Sequence, residues 1–550
     1  MSMFLQEKRR SAADMILVNG KVTTGLMNVG DCEALAISGE RILAVGSQQN
    51  MLAFADEQTI VLDVDGRRVI PGLIDSHMHP VRAGLTWNEE LHWDGLTSLD
   101  AALATIAQHA LQKPPGTWIR VVGGWHPGQF REQRGPTHAE LSSLATHHPV
   151  YVQQLYEEAL VNSAALQLCG VTAQTPNPVG GIFERDASGS PTGRMRGVPA
   201  FNYFLSRMGS TSFEQQLAST SSMLQALSRV GLTTVIDAGG LGITATTYDP
   251  ILALWKQHQL PVRTRLYLGA TERGTEKQQI AEWVKQFAPA FGDDYLKVVG
   301  AGELIVFSYH DLEGLTPFFI STESRQALYE ITCMVAQASW PMHIHAVWDT
   351  TISAILDVWE EVNKEFPLAG RRFSIAHADM ITEADLRRVR KLDIGIAVQD
   401  RLVFRSADSS RAWGSEKARV APPLRHMLDL DIPVGAGTDS TRVTSYNPWL
   451  SLWWLITGCS VDGAPPRHER HCLSRAEALH LYTSGSAWFS FDEQDLGTLE
   501  PGKLADLVVL SDDYFTIPEE AIPTLEAALT MVGGRWVYVS SDGSHLISST

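Results

Sequence analysis

Two histidines one residue apart, His77 and His79, close an apolar run that reads Val69-Ile70-Pro71-Gly72-Leu73-Ile74-Asp75-Ser76-His77-Met78-His79-Pro80. On a β-strand alternate side chains share a face, so both imidazoles project together from the carboxyl end and form half of a metal site. Other candidate ligands sit in or at the end of further β-rich runs. They are Lys297 in Tyr295-Leu296-Lys297-Val298-Val299, His343 and His345 in Pro341-Met342-His343-Ile344-His345, His377 in Phe373-Ser374-Ile375-Ala376-His377, and Asp439 in Pro433-Val434-Gly435-Ala436-Gly437-Thr438-Asp439. Nitrogen and oxygen donors without thiolate favour zinc, as one or two ions, with manganese, iron or cobalt as alternatives. Lys297 is the odd member, because an ammonium cannot bind a cation. It is a ligand only as a carbamate formed with carbon dioxide, which could bridge two metals; otherwise it is an ion-paired lysine beside Asp439 or Glu303. His343 and His345 share a strand face, and the spacing alone does not choose between them.

Residues so far apart meet only if an ordered array of strands delivers them. From about residue 71 to 488, β-branched runs alternate with segments of helical period, the pattern of a parallel sheet with crossover helices. Strands are expected near His77 and at 233–237, 262–268, 296–299, 342–345, 373–377, 394–398 and 433–437. Eight of them predict an α/β fold closed as a (β/α)8 TIM barrel, whose active site lies at the carboxyl ends of the strands. The barrel is assigned to 71–81 plus 214–490. Residues 82–213 are too long for one crossover helix and read as an insertion after barrel strand 1. It carries its own β-runs at 118–122 and 150–153 and a Gly- and Pro-rich loop at 176–197, and it is expected to cover the active site. Both chain ends, 1–70 and 491–550, are broken into short β-runs and predict one composite β-sandwich, with a hairpin signal at Asn19-Gly20.

The 550 residues are 44% hydrophobic and 19% charged, ample for a large soluble core. The net charge of -18 and the lack of a basic cluster argue against nucleic acid and anionic membrane as partners. A small-molecule substrate is expected instead. Met1 to Asp14 is polar, contains Lys8-Arg9-Arg10, and precedes no long apolar segment, so cytoplasmic residence is the expectation. The five cysteines are scattered without a Cys-x-x-Cys pair and read as free thiols.

The chain resembles the amidohydrolase superfamily, specifically its branch with N-substituted formamide deformylase. The resemblance rests on the stretch from Pro71 to His79, on Ile344-His345-Ala346-Val347-Trp348-Asp349, Ala376-His377-Ala378 and Gly437-Thr438-Asp439, and on the closing string from Gly497 to Leu510. In the insertion it rests on Gly123-Gly124-Trp125, Val161-Asn162-Ser163-Ala164-Ala165-Leu166 and Pro178-Val179-Gly180-Gly181. Four sites depart from the branch: Gly300-Ala301-Gly302-Glu303, which replaces an Asp-Gly pair and removes a carboxylate near the site, Tyr156-Glu157-Glu158, Trp348-Asp349 and Gln399-Asp400.

The resemblance implies a metal-dependent hydrolase that cleaves an amide or formamide carbon–nitrogen bond other than a peptide bond. It selects His345 over His343, giving His77, His79, Lys297, His345, His377 and Asp439 as the metal-binding set. The metal would lower the pKa of its water towards about 7 and polarise the carbonyl. Asp439 would accept the proton of the attacking hydroxide and return it to the leaving amine, with His377 orienting the carbonyl oxygen in a one-metal variant. Trp125, Glu157, His343, Asp349 and Glu303 are candidates for lining the substrate pocket, and Trp125 could equally be core. The alternatives are cyclic-amide, carbamate or aminohydrolase chemistry on a ring substrate, and a non-catalytic regulator that binds a metabolite. Barrels of this kind often pair, so a homodimer is compatible with the sequence.

Overall fold

The computed structural model describes residues 12–26, 29–316 and 318–548. The basic run Lys8-Arg9-Arg10 lies outside them. Eight parallel strands are hydrogen-bonded in chain order: β1 (Leu73–Met78), β2 (Leu232–Asp237), β3 (Arg263–Leu268), β4 (Leu296–Glu303), β5 (Met342–Ala346), β6 (Ser374–His377), β7 (Gly395–Gln399) and β8 (Val434–Gly437). The circle closes where β8 returns to β1. There the Asp439 amide donates to the His77 carbonyl at 2.8 Å. The Thr438 hydroxyl donates to Asp75 at 2.7 Å. The expected TIM barrel is the fold.

Each strand is buried on both faces, as a parallel sheet covered by helices must be. The helix Glu383–Leu392, between β6 and β7, shows why those covers form. The Thr382 side chain accepts from the Asp385 amide, Glu383 and Asp385 face the helix's positive end, and Arg390 and Lys391 face its negative end. It buries Leu386, Val389 and Leu392 against the barrel and ends at Asp393, whose φ of 57° turns the chain back. The floor of the barrel is filled by Tyr267, Val299, Ala397 and Phe489. A Cβ at Gly435 would lie 2.7 Å from the Phe489 ring, so the strand needs glycine there.

The chain ends build two sheets that share one core. One sheet runs Arg41–Gly46, Ala34–Ser38, Met15–Val18, Ile60–Asp63; the other runs Lys21–Val22, Arg68–Pro71, Leu507–Leu510, Ala527–Val532, Arg535–Val539. Leu17, Leu35 and Leu62 from the start of the chain pack with Leu507, Val509 and Leu529 from its end. The Asn19-Gly20 turn forms, with Asn19 at φ 54°, but it makes no hairpin. Met15–Val18 pairs with Ala34–Ser38 and Ile60–Asp63, whereas Lys21–Val22 crosses to pair with Arg68–Val69 in the other sheet. Between β1 and β2 a separate five-stranded sheet spans Ile182–Arg185, Pro191–Arg196, Glu158–Val161, Val150–Gln154 and Ile119–Val122. Among the described residues no helix is long and apolar enough to cross a membrane.

Candidate metal centre and active site

His77 in β1, Glu303 in β4, His345 in β5 and His377 in β6 lie at the carboxyl ends of their strands, and His79 and Asp439 lie just beyond β1 and β8, so all six are delivered to the mouth of the barrel. There His77, His79, Glu303, His345, His377 and Asp439 converge. They fall into three overlapping groups, His77–His79–Glu303, His77–His377–Asp439 and Glu303–His345–His377, each with donor atoms within 4.8 Å of one another. Glu303 Oε2 lies 3.3 Å from His77 Nε2 and 3.4 Å from His345 Nδ1, and its Oε1 lies 3.6 Å from His79 Nε2. Asp439 Oδ1 lies 3.0 Å from His79 Nε2 and 3.6 Å from His77 Nε2.

Whether these residues suit a cation can be judged from the far side of each ring. His79 Nδ1 donates to the Gly239 carbonyl at 2.7 Å, leaving Nε2 for the centre. His345 Nε2 donates to the Leu312 carbonyl at 2.9 Å and faces Asp311 at 3.1 Å, leaving Nδ1. His77 Nδ1 is 2.8 Å from His343 Nε2, and His343 Nδ1 is 2.7 Å from the Ser374 hydroxyl. Outer partners that fix a ring's tautomer and aim are the usual support of metal-bound histidine. The inward atoms His77 Nε2, Glu303 Oε2 and His377 Nδ1 are buried and lack any hydrogen-bond partner. Buried polar atoms rarely go unpaired, and here three face the same point. A divalent cation held by nitrogen and carboxylate oxygen fits this set.

The electrostatics agree. Burial opposes charge at His77, but Glu303 and Asp439 outweigh it and raise its pKa to about 9. Burial likewise opposes ionisation of Asp439 and Glu303, yet the surrounding imidazoles hold both carboxyls well below the usual range. His377 and His343 are pushed far down by burial and by neighbouring histidines, so both stay neutral. Two ionised carboxylates in a buried nest of imidazoles call for positive charge at their centre.

The structure corrects several sequence expectations. Lys297 is the second residue of β4, and Glu303 is its last. Six residues of strand put them roughly 20 Å apart, at opposite ends of the barrel. Lys297 Nζ donates to Asp492 at 2.7 Å, so it is an ion-paired lysine with a partner other than the two considered. A carbamate there would not reach the histidines. Its place is taken by Glu303, so the Gly300–Glu303 departure supplies a carboxylate instead of removing one. His343 sits behind His77 and does not line the cavity. Trp125 is buried in the core of the inserted sheet and donates to the Gln153 carbonyl. Asp349 opens the helix Asp349–Val362 and accepts from the Thr350 amide. Glu157 lies outside the cavity lining, 3.5 Å from Arg405, which does line it.

In front of the centre is a cavity of about 460 Å3. His79, Glu303, His345, His377 and Asp439 form its floor. The insertion contributes Tyr156, Gly180, Gly197, Val198 and Pro199 to its wall. Sequence reasoning missed Arg82, His310, Asp311 and Arg401. Arg401 is held by Asp379 at 2.5 Å and by the Glu313 carbonyl at 2.7 Å. His310 stacks on His345 with ring centroids 3.8 Å apart. Arg82 lies three residues beyond His79, a spacing that could have marked it. It donates to the Leu241 carbonyl and forms no ion pair among the described residues.

A model of the amidohydrolase family matches residues 61–538. The N-substituted formamide deformylase of Arthrobacter pascens is 27% identical over 95% of this chain and 97% of its own. Protein LONG AFTER FAR-RED 3 of Arabidopsis thaliana is also 27% identical, over 96% of this chain and 92% of its own. The crystal structure of an uncharacterized metal-dependent hydrolase from Pyrococcus furiosus superposes with a TM-score of 0.66 at 22% identity, covering 91% of this chain and all of that one. With most of its length matched by the family model, this chain belongs to the amidohydrolase family and is a hydrolase.

Proposed function

We propose that this enzyme hydrolyses the amide or formamide bond of a small molecule, using one or two divalent cations, zinc foremost, held by His77, His79, Glu303, His345, His377 and Asp439. The observation that carries the reading is the convergence of orphaned, buried donor atoms on the floor of an accessible cavity. A volume of about 460 Å3 suits a small organic substrate. A bound dication supplies Lewis acidity to the scissile carbonyl and acidifies water. Asp439 remains ionised at neutral pH and borders the cavity, so its carboxylate can take a proton from the attacking water and deliver it to the departing nitrogen. Holding Asp439 is the work of His79 on its side chain and the His77 carbonyl on its amide. His343, through His77, positions without touching substrate. Glu303 lies between the histidine pair of β1 and the pair from β5 and β6, which suits a carboxylate shared by two ions.

The test is elemental metal analysis of the purified protein together with a hydrolysis panel of formamides, linear amides and cyclic amides. Metal retention and turnover of formamides or linear amides are the expected result, with turnover at least about 100-fold lower in Asp439→Asn. Turnover of cyclic amides alone would move the substrate to the ring class. Folded, metal-loaded protein that cleaves none of the panel would overturn the reading.

A further inference from the structure

The two strands that close the barrel, β8 and β1, each send an arginine to the same place. Arg82 follows His79 by three residues, and Arg442 follows Asp439 by three. Both line a second cavity, of about 280 Å3. Arg82, Tyr156, Val198 and Leu241 border this cavity and the substrate cavity alike, so the two spaces adjoin. The insertion packs directly on the Arg442 backbone. Gly123 has φ 84°, and a Cβ there would stand 2.3 Å from the Arg442 carbonyl oxygen, so this close approach requires glycine.

Neither arginine forms an ion pair among the described residues. Arg82 gives Nη1 to the Leu241 carbonyl at 2.9 Å and keeps Nε and Nη2 free. The Arg442 side chain makes no hydrogen bond among the described residues. Both side chains are half-buried, and none of these unbonded nitrogens is sealed from solvent, so a ligand can reach them. The Tyr156 hydroxyl and the Asn202 side chain are unpartnered as well. The other polar groups of the wall are already used: Thr86 donates to Glu90 at 2.6 Å, and Gln153 accepts from Tyr151 and donates to the Leu155 carbonyl. No acidic residue lines this cavity, and Leu85, Phe201 and Leu205 make the rest of its wall apolar. Two open guanidiniums with no carboxylate between them favour an anion, and the planar fork of each matches the paired oxygens of a carboxylate or phosphonate.

We propose that this second cavity is an oxyanion subsite, in which Arg82 and Arg442 hold an anionic group at the end of the substrate remote from the scissile bond. That the occupant belongs to the substrate rests on the hydrolase reading above; the affinity of the two arginines for an oxyanion does not. The test soaks crystals of the metal-loaded full chain in sodium selenate. It also measures kinetics on three amides of one scaffold that end in a carboxylate, a phosphonate or an uncharged methyl ether. Expected are an anomalous selenium peak between Arg82 and Arg442 that disappears in Arg442→Met, and a preference for the anionic over the neutral amides, as a ratio of kcat/KM, at least about 10-fold lower in that variant. The better of the two anionic amides names the oxyanion. If Arg442→Met does not fold, the selenium peak in the unsubstituted protein decides. Protein that cleaves none of the amides would sink the hydrolase reading and leave the same peak to decide the subsite. No selenate at the two arginines, or an unchanged ratio in Arg442→Met, which would mark any bound selenate as an adventitious ion only, would overturn the proposal.

Discussion

Glu303 and Lys297 show what strand periodicity can and cannot tell. Both lie in β4, whose register shifts between Val298 and Gly300, so alternation counted from Lys297 neither fixes the face of Glu303 nor says which end of the barrel each occupies. The choice depends on where the strand stops, and Gly300-Ala301-Gly302 reads as a loop although it continues the strand for four more residues to Glu303. The histidines and Asp439 were legible because each lies at or just beyond its strand's end. A pair of substitutions separates the two β4 residues. Glu303→Gln should release most of the metal and lower kcat/KM by about 1000-fold or more, since it removes charge shared between two groups of donors. Lys297→Met should keep full metal content and kcat within about twofold. Metal analysis alongside kinetics reads both, and metal loss in Lys297→Met would restore the lysine to the centre. The spacing of Arg82 from His79 could mark its place near the site, but nothing in the sequence shows that its guanidinium lacks a carboxylate. Its hydrogen bond to Leu241 leaves donors free at the cavity wall, so Arg82→Met should raise KM for carboxylate-bearing amides by about 10-fold or more and leave neutral ones unchanged. Equal effects on charged and neutral substrates would contradict that role.

At the level of elements, β-branched and apolar runs set the barrel strands apart from their helices, and seven of the eight strands lie close to their expected positions. The turn at Asn19-Gly20 was legible as a turn and illegible as a connection, because pairing is decided by partners far along the chain. The joint between β8 and β1 was equally hidden. It depends on Asp75, which accepts from the His77 amide at 3.0 Å and the Thr438 hydroxyl at 2.7 Å. Gly437 permits this approach: a Cβ there would come within 2.6 Å of both Asp75 Oδ1 and the His77 amide nitrogen. Much of what it would strike is backbone, which cannot swing away. Gly437→Ala should therefore cost about 1–3 kcal/mol and weaken metal binding, since the strand ends carrying His77 and Asp439 are forced apart. Denaturation and metal titration of the same variant measure the two effects. Lost stability with unchanged metal affinity would show that the joint braces the fold without aiming the ligands.

For the whole molecule, the composite sandwich and the barrel are tied by buried ion pairs at the end of the barrel away from the active site. Arg263 pairs with Asp506 at 2.8 Å, and Arg265 pairs with Asp492 at 2.6 Å. Asp492 also receives Lys297, so one carboxylate beyond the barrel answers two cations on its inner strands. Burial works against its ionisation, but Arg265 and Lys297 prevail and hold its pKa at about 2, below the ordinary value of 3.8. A carboxyl depressed on folding stabilises the protein fully above the unfolded value and loses that contribution as pH falls through the folded one. The expected window of loss is therefore from about pH 4 down to pH 2, and it is worth about 2 kcal/mol. Asp492→Asn should remove that acid-dependent segment of the stability curve. At pH 7 it should cost about 3–5 kcal/mol, because Arg265 stays buried without its counter-charge. Urea denaturation from pH 7 to pH 2 compares the two proteins directly. If the curves stay parallel below pH 4, Asp492 is not the group whose protonation loosens the tie, and the Arg263–Asp506 pair becomes the one to examine.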